Sequence, residues 1–192
     1  MCPSLTLFDR SRPSSQIRSQ TALIIRGGDI ALWKVEAGKH GEQESRILEQ
    51  NVVAIGWNDL GDLSNVKSYE ELKKLFMETY PEKKPKTADN QAGQIWAFKA
   101  RIQPDDWAAV PLMSRSAIAV GVVQSDYEYR RDLGEIVHHT RRVKWVRTDI
   151  PRTNFDQDLL YSLGPIMAVY QITRNDAENR VHRIVEGKRS QL

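Results

Sequence analysis

Three β-rich stretches decide the fold of this chain: WAAVP at residues 107–111, AIAVGVVQSDYEY at 117–129 and TRRVKWV at 140–146. They are rich in β-branched and aromatic residues, and polar segments separate one stretch from the next. This arrangement predicts a meander of three neighbouring strands. Outside the meander, similar apolar runs predict further strands at residues 30–36, 52–56 and 166–172.

Helical segments interrupt these strands. Ser68 followed by Glu71 forms a capping box, which predicts a helix that runs to about Tyr80 and stops at Pro81. Further segments are predicted as helices at residues 42–50, 90–101 and 154–163 and as a basic loop at 83–87. The combination predicts an α/β (α+β) domain, a small closed or semi-closed β-barrel of about five to six strands with helices packed outside it.

The length of 192 residues fits one domain with a tail at each end. Residues 1–20 are rich in Ser, Arg and Pro and lack periodicity, so we expect a disordered or loosely held tail there. The folded domain is expected to span residues 21–180. The segment after residue 172 is highly charged, and we expect it to be frayed, with residues 181–192 as a charged C-terminal tail.

The cysteine count and the hydropathy pattern indicate a cytoplasmic compartment. Cys2 is the one cysteine, so the chain has no internal disulfide and no cysteine-rich zinc site. No run reaches the roughly 18 apolar residues of a membrane-spanning helix. The first residues lack the apolar core of a secretory signal. We therefore expect a reducing, cytoplasmic environment.

Positive charge is concentrated in one region, although the net charge is only +3. The residues between 138 and 152 include five cations against the single carboxylate of Asp149. A basic stripe on a nearly neutral body suits a bound polyanion such as nucleic acid. An ordinary solvated strand face explains the stripe equally well.

The sequence lacks the motifs of catalytic and cofactor sites. The glycine-rich segments 27–28 and 38–41 match neither the P-loop nor the dinucleotide fingerprint. His138 and His139 are adjacent, so on a strand they point to opposite faces, which favours structural or surface roles over metal binding. We expect no cofactor, no metal and no enzymatic activity.

Aromatic residues next to arginines point instead to nucleic acid. Trp57 ends an apolar strand and precedes polar residues, and Tyr127 and Tyr129 share a strand face followed by Arg130 and Arg131. An aromatic ring can stack on a splayed-out base while a neighbouring cation contacts a phosphate. Three other tryptophans, at positions Trp33, Trp107 and Trp145, are expected to be core residues.

Six segments occur in one order along the chain: WKVEAG (33–38), VVAIGW (52–57), DLS (62–64), NQAGQIWAF (90–98), GVV (121–123) leading into YEYR (127–130), and HHTRRVKW (138–145). Together they resemble the EVE-like domains fused to Mrr- and McrB-type modification-dependent restriction endonucleases. These domains belong to the PUA superfamily, alongside YTH and ASCH domains. The resemblance covers residues 30–172.

The resemblance implies a PUA-like β-barrel with flanking helices and a pocket for a flipped, modified base, such as a methylated cytosine or adenine. By family position, the pocket residues and their candidate hydrogen-bonding groups are Trp33, Trp57, Asn58, Asn90, Gln94, Tyr127 and Tyr129. The residues chosen for phosphate contacts are Lys34, Arg115, Arg130, Arg141, Arg142 and Lys144.

The leading hypothesis is therefore a DNA-binding module that reads a modified base by base flipping, in a restriction-modification or anti-phage setting. Because relatives of this kind usually carry a nuclease in the same polypeptide, a separate effector nuclease is the expected partner. One alternative is an RNA modified-base reader, as YTH relatives are. A second is a small-molecule or nucleotide sensor that uses the barrel pocket. The last is an enzyme acting on a base, with Asp59 or Asp62 as its acid or base.

Overall fold

The structure, a computed structural model, describes residues 30–164 and 167–187. These residues contain seven strands: β1 (Leu32–Val35), β2 (Val52–Ile55), β3 (Trp107–Pro111), β4 (Ala117–Val123), β5 (Glu128–Tyr129), β6 (His139–Pro151) and β7 (Val169–Ile172). They also contain five α-helices: α1 (Glu44–Glu49), α2 (Tyr69–Thr79), α3 (Pro85–Trp96), α4 (Gln157–Leu163) and α5 (Ala177–Val185). The expected tail at residues 1–20 lies outside the described residues.

The strands form one curled sheet, a half-barrel, in the order β2-β6-β4-β3-β1-β7, with β5 paired to the start of β6. Neighbouring strands are antiparallel except β1 and β3, which are parallel. The predicted class, a small barrel with flanking helices, is confirmed. The predicted strand at 117–129 is divided into β4 and β5, and the strand predicted at 140–146 continues to Pro151.

Helices cover both faces of the sheet, and this arrangement creates two apolar cores. Alternate residues of β1 serve opposite cores: Trp33 belongs to the larger one, and Leu32 to the smaller. Phe76 of α2 and Ile95 of α3 contribute to the larger core, and Val181 of α5 to the smaller. Because both faces are covered, all four residues of β1 are buried.

Trp33 is a core residue, so its predicted place in a base pocket is wrong. Its side chain is only 2% exposed, and its indole Nε1 donates to Asp106 Oδ2 over 2.8 Å. The Asp106 carboxylate also accepts the backbone N–H groups of Ala31 and Gln103, at 3.1 and 2.9 Å. A buried indole N–H needs such a partner. The start of β1 is thereby fixed against the start of β3.

Arg141 is also internal, so its predicted phosphate contact is wrong. The residue is 1% exposed, and its guanidinium donates to the backbone oxygens of Phe98, Ser125 and Lys99 at 2.6, 2.9 and 2.7 Å. Phe98 and Lys99 lie in the π-helical segment Ala97–Arg101 that continues α3. Carbonyls in the last turn of a helix lack partners within the helix, and a cation there also suits the helix dipole.

Helices α3 and α5 differ from the sequence expectation. Helix α3 begins at Pro85, inside the stretch expected to be a loop, because proline is well suited to the first turn of a helix. The expected fraying after residue 172 is wrong for α5, which reaches past the expected start of the charged tail. Arg180 of α5 is buried and donates to Asp156 and Asp158 at 2.7 and 2.6 Å. No helix among the described residues is long and apolar enough to cross a membrane.

Gly121 of β4 provides a test of the packing between β4 and β6. A Cβ added there would lie 2.4 Å from Val143 Cγ1 and 2.9 Å from the Lys144 carbonyl oxygen. Gly121→Ala should therefore lower the free energy of unfolding by about 1–3 kcal/mol. Gly93→Ala is the matched control, because no atom lies within 4 Å of the added Cβ in helix α3.

Urea unfolding of both variants checks this expectation. Gly93→Ala should raise the free energy of unfolding by about 0.5–1 kcal/mol, since alanine favours a helix over glycine. An equally stable Gly121→Ala variant would contradict the tight approach of the two strands.

Candidate functional site

A pocket of about 240 Å³ lies where the two edge strands of the half-barrel come near each other. Its walls come from the end of β1, the end of β2, the loop between β1 and α1, and the residue before β7. The residues that matter for its chemistry are Glu36, Gly38, Glu42, Gln43, Trp57 and Ala168. Sequence reasoning identified Trp57 among them.

Trp57 lines this pocket in an unusual backbone conformation. It follows β2 with φ 63° and ψ 37°, in the left-handed region, and starts the 3₁₀ turn Asn58–Leu60. A bulky residue held there costs about 1–3 kcal/mol, and such strain persists only where the surroundings impose it. The backbone of Trp57 is therefore held in place by other contacts.

A buried chain of hydrogen bonds reaches the backbone of Trp57. His139 Nε2 lies 3.2 Å from the Trp57 carbonyl oxygen, and His139 Nδ1 lies 2.7 Å from the Tyr127 hydroxyl. The Tyr127 hydroxyl in turn accepts the Leu63 backbone N–H at 3.3 Å. We call Leu63, Tyr127 and His139 the relay.

The direction of every bond in the relay follows from the charge state of His139. Burial lowers the pKa of His139 to about 4, so its imidazole is neutral near pH 7. The Trp57 carbonyl can only accept, so Nε2 carries the proton and donates. Nδ1 must then accept from the Tyr127 hydroxyl. The relay thus has one consistent orientation that holds the strained residue.

Gln43 offers the pocket an acceptor without a partner. The residue is 4% exposed, and its Nε2 donates to the Ile136 carbonyl oxygen at 2.8 Å, which sets the orientation of the amide. Its Oε1 is buried and has no hydrogen-bond partner among the described residues. A buried acceptor left unpaired costs about 1–3 kcal/mol. A ligand N–H in the pocket would remove that cost.

Asn58, which follows Trp57, repeats this arrangement. Its Nδ2 donates to the Glu135 carbonyl oxygen at 3.0 Å, and its Oδ1 is buried with no partner in the described part of the chain. Gln43 and Asn58 therefore tie residues 135 and 136 to the pocket through consecutive carbonyls.

The loop after β1 places a carboxylate at the pocket. Backbone N–H groups, its own and those of His40 and Lys39, lower the pKa of Glu42, so the carboxylate stays ionised. Gly38 has φ +84°, and a Cβ on it would lie 2.5 Å from Glu42 Cδ, so this turn requires glycine. The wall of the pocket consequently presents hydrogen-bond acceptors to a ligand.

Two of the predicted base-contacting residues act behind the pocket wall. Tyr127 belongs to the relay, and Tyr129 packs against the rings of His138 and His139 at 5.6 and 5.4 Å. These contacts support the structural interpretation of the histidine pair. Among the described residues, no group of three or more His, Cys, Asp or Glu could hold a metal ion.

Gln94 and Asn90 lie on α3 and do not line the pocket. The Gln94 Oε1 accepts the backbone N–H groups of Ala168 and Val169 at 2.7 and 3.4 Å. Its Nε2 donates to Asn90 Oδ1 at 2.7 Å. Gln94 therefore positions Ala168, which does line the pocket, and Asn90 supports Gln94.

The phosphate contact predicted for the buried Lys34 needs correction, whereas the one predicted for Arg130 does not. Lys34 is buried, bonds to Glu36 and donates to the Met167 carbonyl oxygen at 2.6 Å, so its predicted phosphate contact is wrong. Arg130 bonds to Asp132 at 2.6 Å. A surface ion pair of this kind is weak, so the phosphate contact of Arg130 stays a prediction.

Arg142 is exposed and bonds to Glu128 at 2.8 Å, so its phosphate contact likewise stays a prediction. Arg115 is exposed and donates to the Thr148 carbonyl oxygen at 2.9 Å. Lys144 is also exposed, further along β6. Arg115 and Lys144 therefore stay accessible to a phosphate among the predicted cations.

Three further cations, none of them among the residues chosen for phosphate contacts, lie at the pocket or at the segments behind it. Lys39 lines the pocket and is exposed. The Arg46 guanidinium approaches Gly134 of the β5–β6 connection, and Arg131 lies over the ring of Tyr129 at 5.6 Å. The signal that could have found the pocket is the pair of glycines, at 38 and 41, directly after a buried strand.

The relay makes folding stability depend on pH. His139 has a folded pKa of about 4 against 6.5 when unfolded, so the unfolded chain binds the extra proton first as the pH falls. The His139 contribution is complete above pH 6.5 and is lost as the pH falls towards 4. Between pH 7.5 and 4 the wild type should lose about 3 kcal/mol more unfolding free energy than His139→Gln.

Urea unfolding at a series of pH values measures this difference. His40→Gln, which changes an exposed histidine, should keep the wild-type profile. Parallel profiles for the wild type and His139→Gln would show that His139 is not held neutral by burial.

Comparison with known proteins places this architecture in a family. None of the curated proteins matches the chain. A family model with the description "Domain of unknown function (DUF8426)" matches residues 33–173, from β1 to the end of β7. The match includes Trp57, the relay and Gln43. The chain therefore belongs to this family of domains of unknown function, DUF8426.

Proposed function

We propose that this protein binds DNA and takes one modified base, flipped out of the duplex, into the pocket beside Trp57. The observation that carries the proposal is the combination of an aromatic ring on a held backbone with the buried, unpaired acceptor Gln43 Oε1. A nucleobase matches both features, because it has a π-face for stacking and N–H donors on its edge.

The polarity of the pocket favours a base that carries an amino group. Cytosine and adenine both donate from an exocyclic amine on the edge that is free once the base has left the duplex. Gln43 Oε1 and the Glu42 carboxylate are the acceptors present. Flipping costs a few kcal/mol. Stacking on an aromatic ring returns about 1–3 kcal/mol, and the new hydrogen bonds offset more.

Selectivity for the modification is expected to be modest from burial alone. One methyl group is worth about 0.8 kcal/mol, or roughly a fourfold preference. A larger preference requires a shape that excludes the unmodified base. The volume of about 240 Å³ is below the roughly 300–1,000 Å³ of drug-sized ligand sites, which favours a single base over a whole nucleotide.

Asp59 and Asp62, the two residues considered as a catalytic acid or base, are both engaged in hydrogen bonds within the protein, which supports a binding role. Asp62 accepts the hydroxyl and backbone N–H of Ser64 at 2.6 and 2.9 Å, and these bonds lower its pKa. Asp59 accepts the Tyr80 hydroxyl at 3.3 Å. We therefore propose a reader without its own chemistry, which works with a separate effector nuclease in a restriction or anti-phage setting.

Fluorescence polarisation with matched duplexes tests the proposal. The panel contains one unmodified duplex and others with a single methylated or hydroxymethylated base, each measured at two salt concentrations. Wild-type protein should bind one modified duplex more tightly, and Trp57→Ala should weaken that binding about 5- to 150-fold through lost stacking. Trp57→Phe should retain most of the affinity.

Weak and equal binding across the DNA panel would contradict the proposal. Tighter binding to single-stranded RNA with the same modification would identify an RNA reader instead. Tight, salt-independent binding of a mononucleotide would identify a nucleotide sensor.

The salt dependence of binding should identify the phosphate contacts. Replacing Arg131 or Lys39 by alanine should weaken binding to all duplexes alike and reduce the slope of log K against log salt by about 0.9. Arg174→Ala is the control, because Arg174 is exposed in a separate groove between α4 and β7. An unchanged slope for both Arg131→Ala and Lys39→Ala would contradict this placement of the DNA backbone.

A further inference from the structure

Ile136 is an apolar side chain held at the surface beside the pocket. It lies in the connection between β5 and β6 and is 44% exposed. Its neighbour Val137 and nearby Leu133 are both buried and anchor the connection in the larger core. The backbone at Ile136 is therefore fixed at a point where the side chain faces solvent.

Gln43, which lines the pocket, and Asn58, which follows Trp57, hold this connection. Gln43 Nε2 donates to the Ile136 carbonyl oxygen at 2.8 Å, and Asn58 Nδ2 donates to the Glu135 carbonyl oxygen at 3.0 Å. Gln43 thus contacts Ile136 with one end of its amide and offers its other end to the pocket. Any shift of Ile136 would move the acceptor that we assign to the base.

A flipped base leaves a gap in the stack of the duplex. Proteins that open base steps often insert Phe, Leu, Ile, Met or Pro into the opening, because an apolar group replaces the lost stacking contacts. Such a group must be apolar, exposed before binding, rigidly attached and next to the pocket. Ile136 meets all four conditions.

We infer that Ile136 is the wedge that enters the duplex and fills the gap left by the flipped base. This inference rests on the proposed function and names the residue that stabilises the open duplex. Met113 is also exposed near the pocket, but its backbone is held by Glu44, which does not line the pocket. Arg46 lies near Gly134, and Arg131 belongs to the same connection as Ile136, so we assign both to the phosphates that flank the opening.

The test compares a duplex with a single strand that carries the same modified base. Ile136→Ala should bind the duplex about tenfold more weakly, the loss expected when an isoleucine side chain no longer becomes buried. Its affinity for the single strand should equal that of the wild type, because no stack has to be opened. Ile136→Met should restore duplex binding. Val146→Ala removes an equally exposed apolar group, 45% exposed on β6, and should change neither affinity.

A second readout follows the opening itself. With 2-aminopurine next to the target base, wild-type protein should raise its fluorescence on binding the duplex, and Ile136→Ala should lose most of that rise. Unchanged duplex affinity and fluorescence in Ile136→Ala would overturn the wedge while leaving the base pocket intact. An equal loss of affinity on both substrates would also overturn it. Failure of the wild type to bind either substrate would overturn the proposed function instead.

Discussion

The buried guanidinium of Arg141 connects the layers on which the rest of the structure depends. It joins β6 to the end of the α3 layer through the carbonyls of Phe98 and Lys99, and to the β4–β5 connection through Ser125. Burial lowers its pKa to about 10, yet the group stays charged near neutral pH. Because Tyr127 follows Ser125 by two residues, this contact also helps to place the relay. The backbone position of Trp57 is thus determined from inside the protein, at a distance from the pocket itself.

Local sequence patterns predicted the helices and strands well. They could not predict the contacts between segments that are distant in sequence. The strand at 107–111 was predicted with its observed ends, because its apolar residues and the flanking polar ones mark it. The burial of Arg141 could not be seen, because it depends on the pairing of Arg141 with Val53 in β2. Helix α5 did have a signal: Ala177, Val181 and Ile184 have helical spacing on one face. The many charged residues of α5 concealed that pattern. Arg180 is one of them, and it is buried because Asp156 and Asp158 pair with its charge.

The candidate site brings together one strained residue and two of the six buried side-chain polar atoms that have no hydrogen-bond partner among the described residues. Trp57 was recognisable from its place after an apolar strand, but its left-handed backbone was not. Gln43 was invisible to sequence reasoning, because its unpaired oxygen depends on Ile136, 93 positions away. The strained tryptophan and the two unpaired amide oxygens all lie at one end of the half-barrel. Unfavourable local features that cluster in this way are expected at sites where a ligand compensates for them.

The strand pairing also determines when the site can form during synthesis. β1 pairs with β3, and β2 pairs with β6, so each pocket strand waits for a partner encoded far downstream. His139 and Ala168 are needed to complete the relay and the pocket wall. Contacts of such long sequence separation form slowly, since a long loop must close first. A nascent chain that has exposed Trp57 therefore lacks most of the pocket, which is complete only after β7 has left the ribosome.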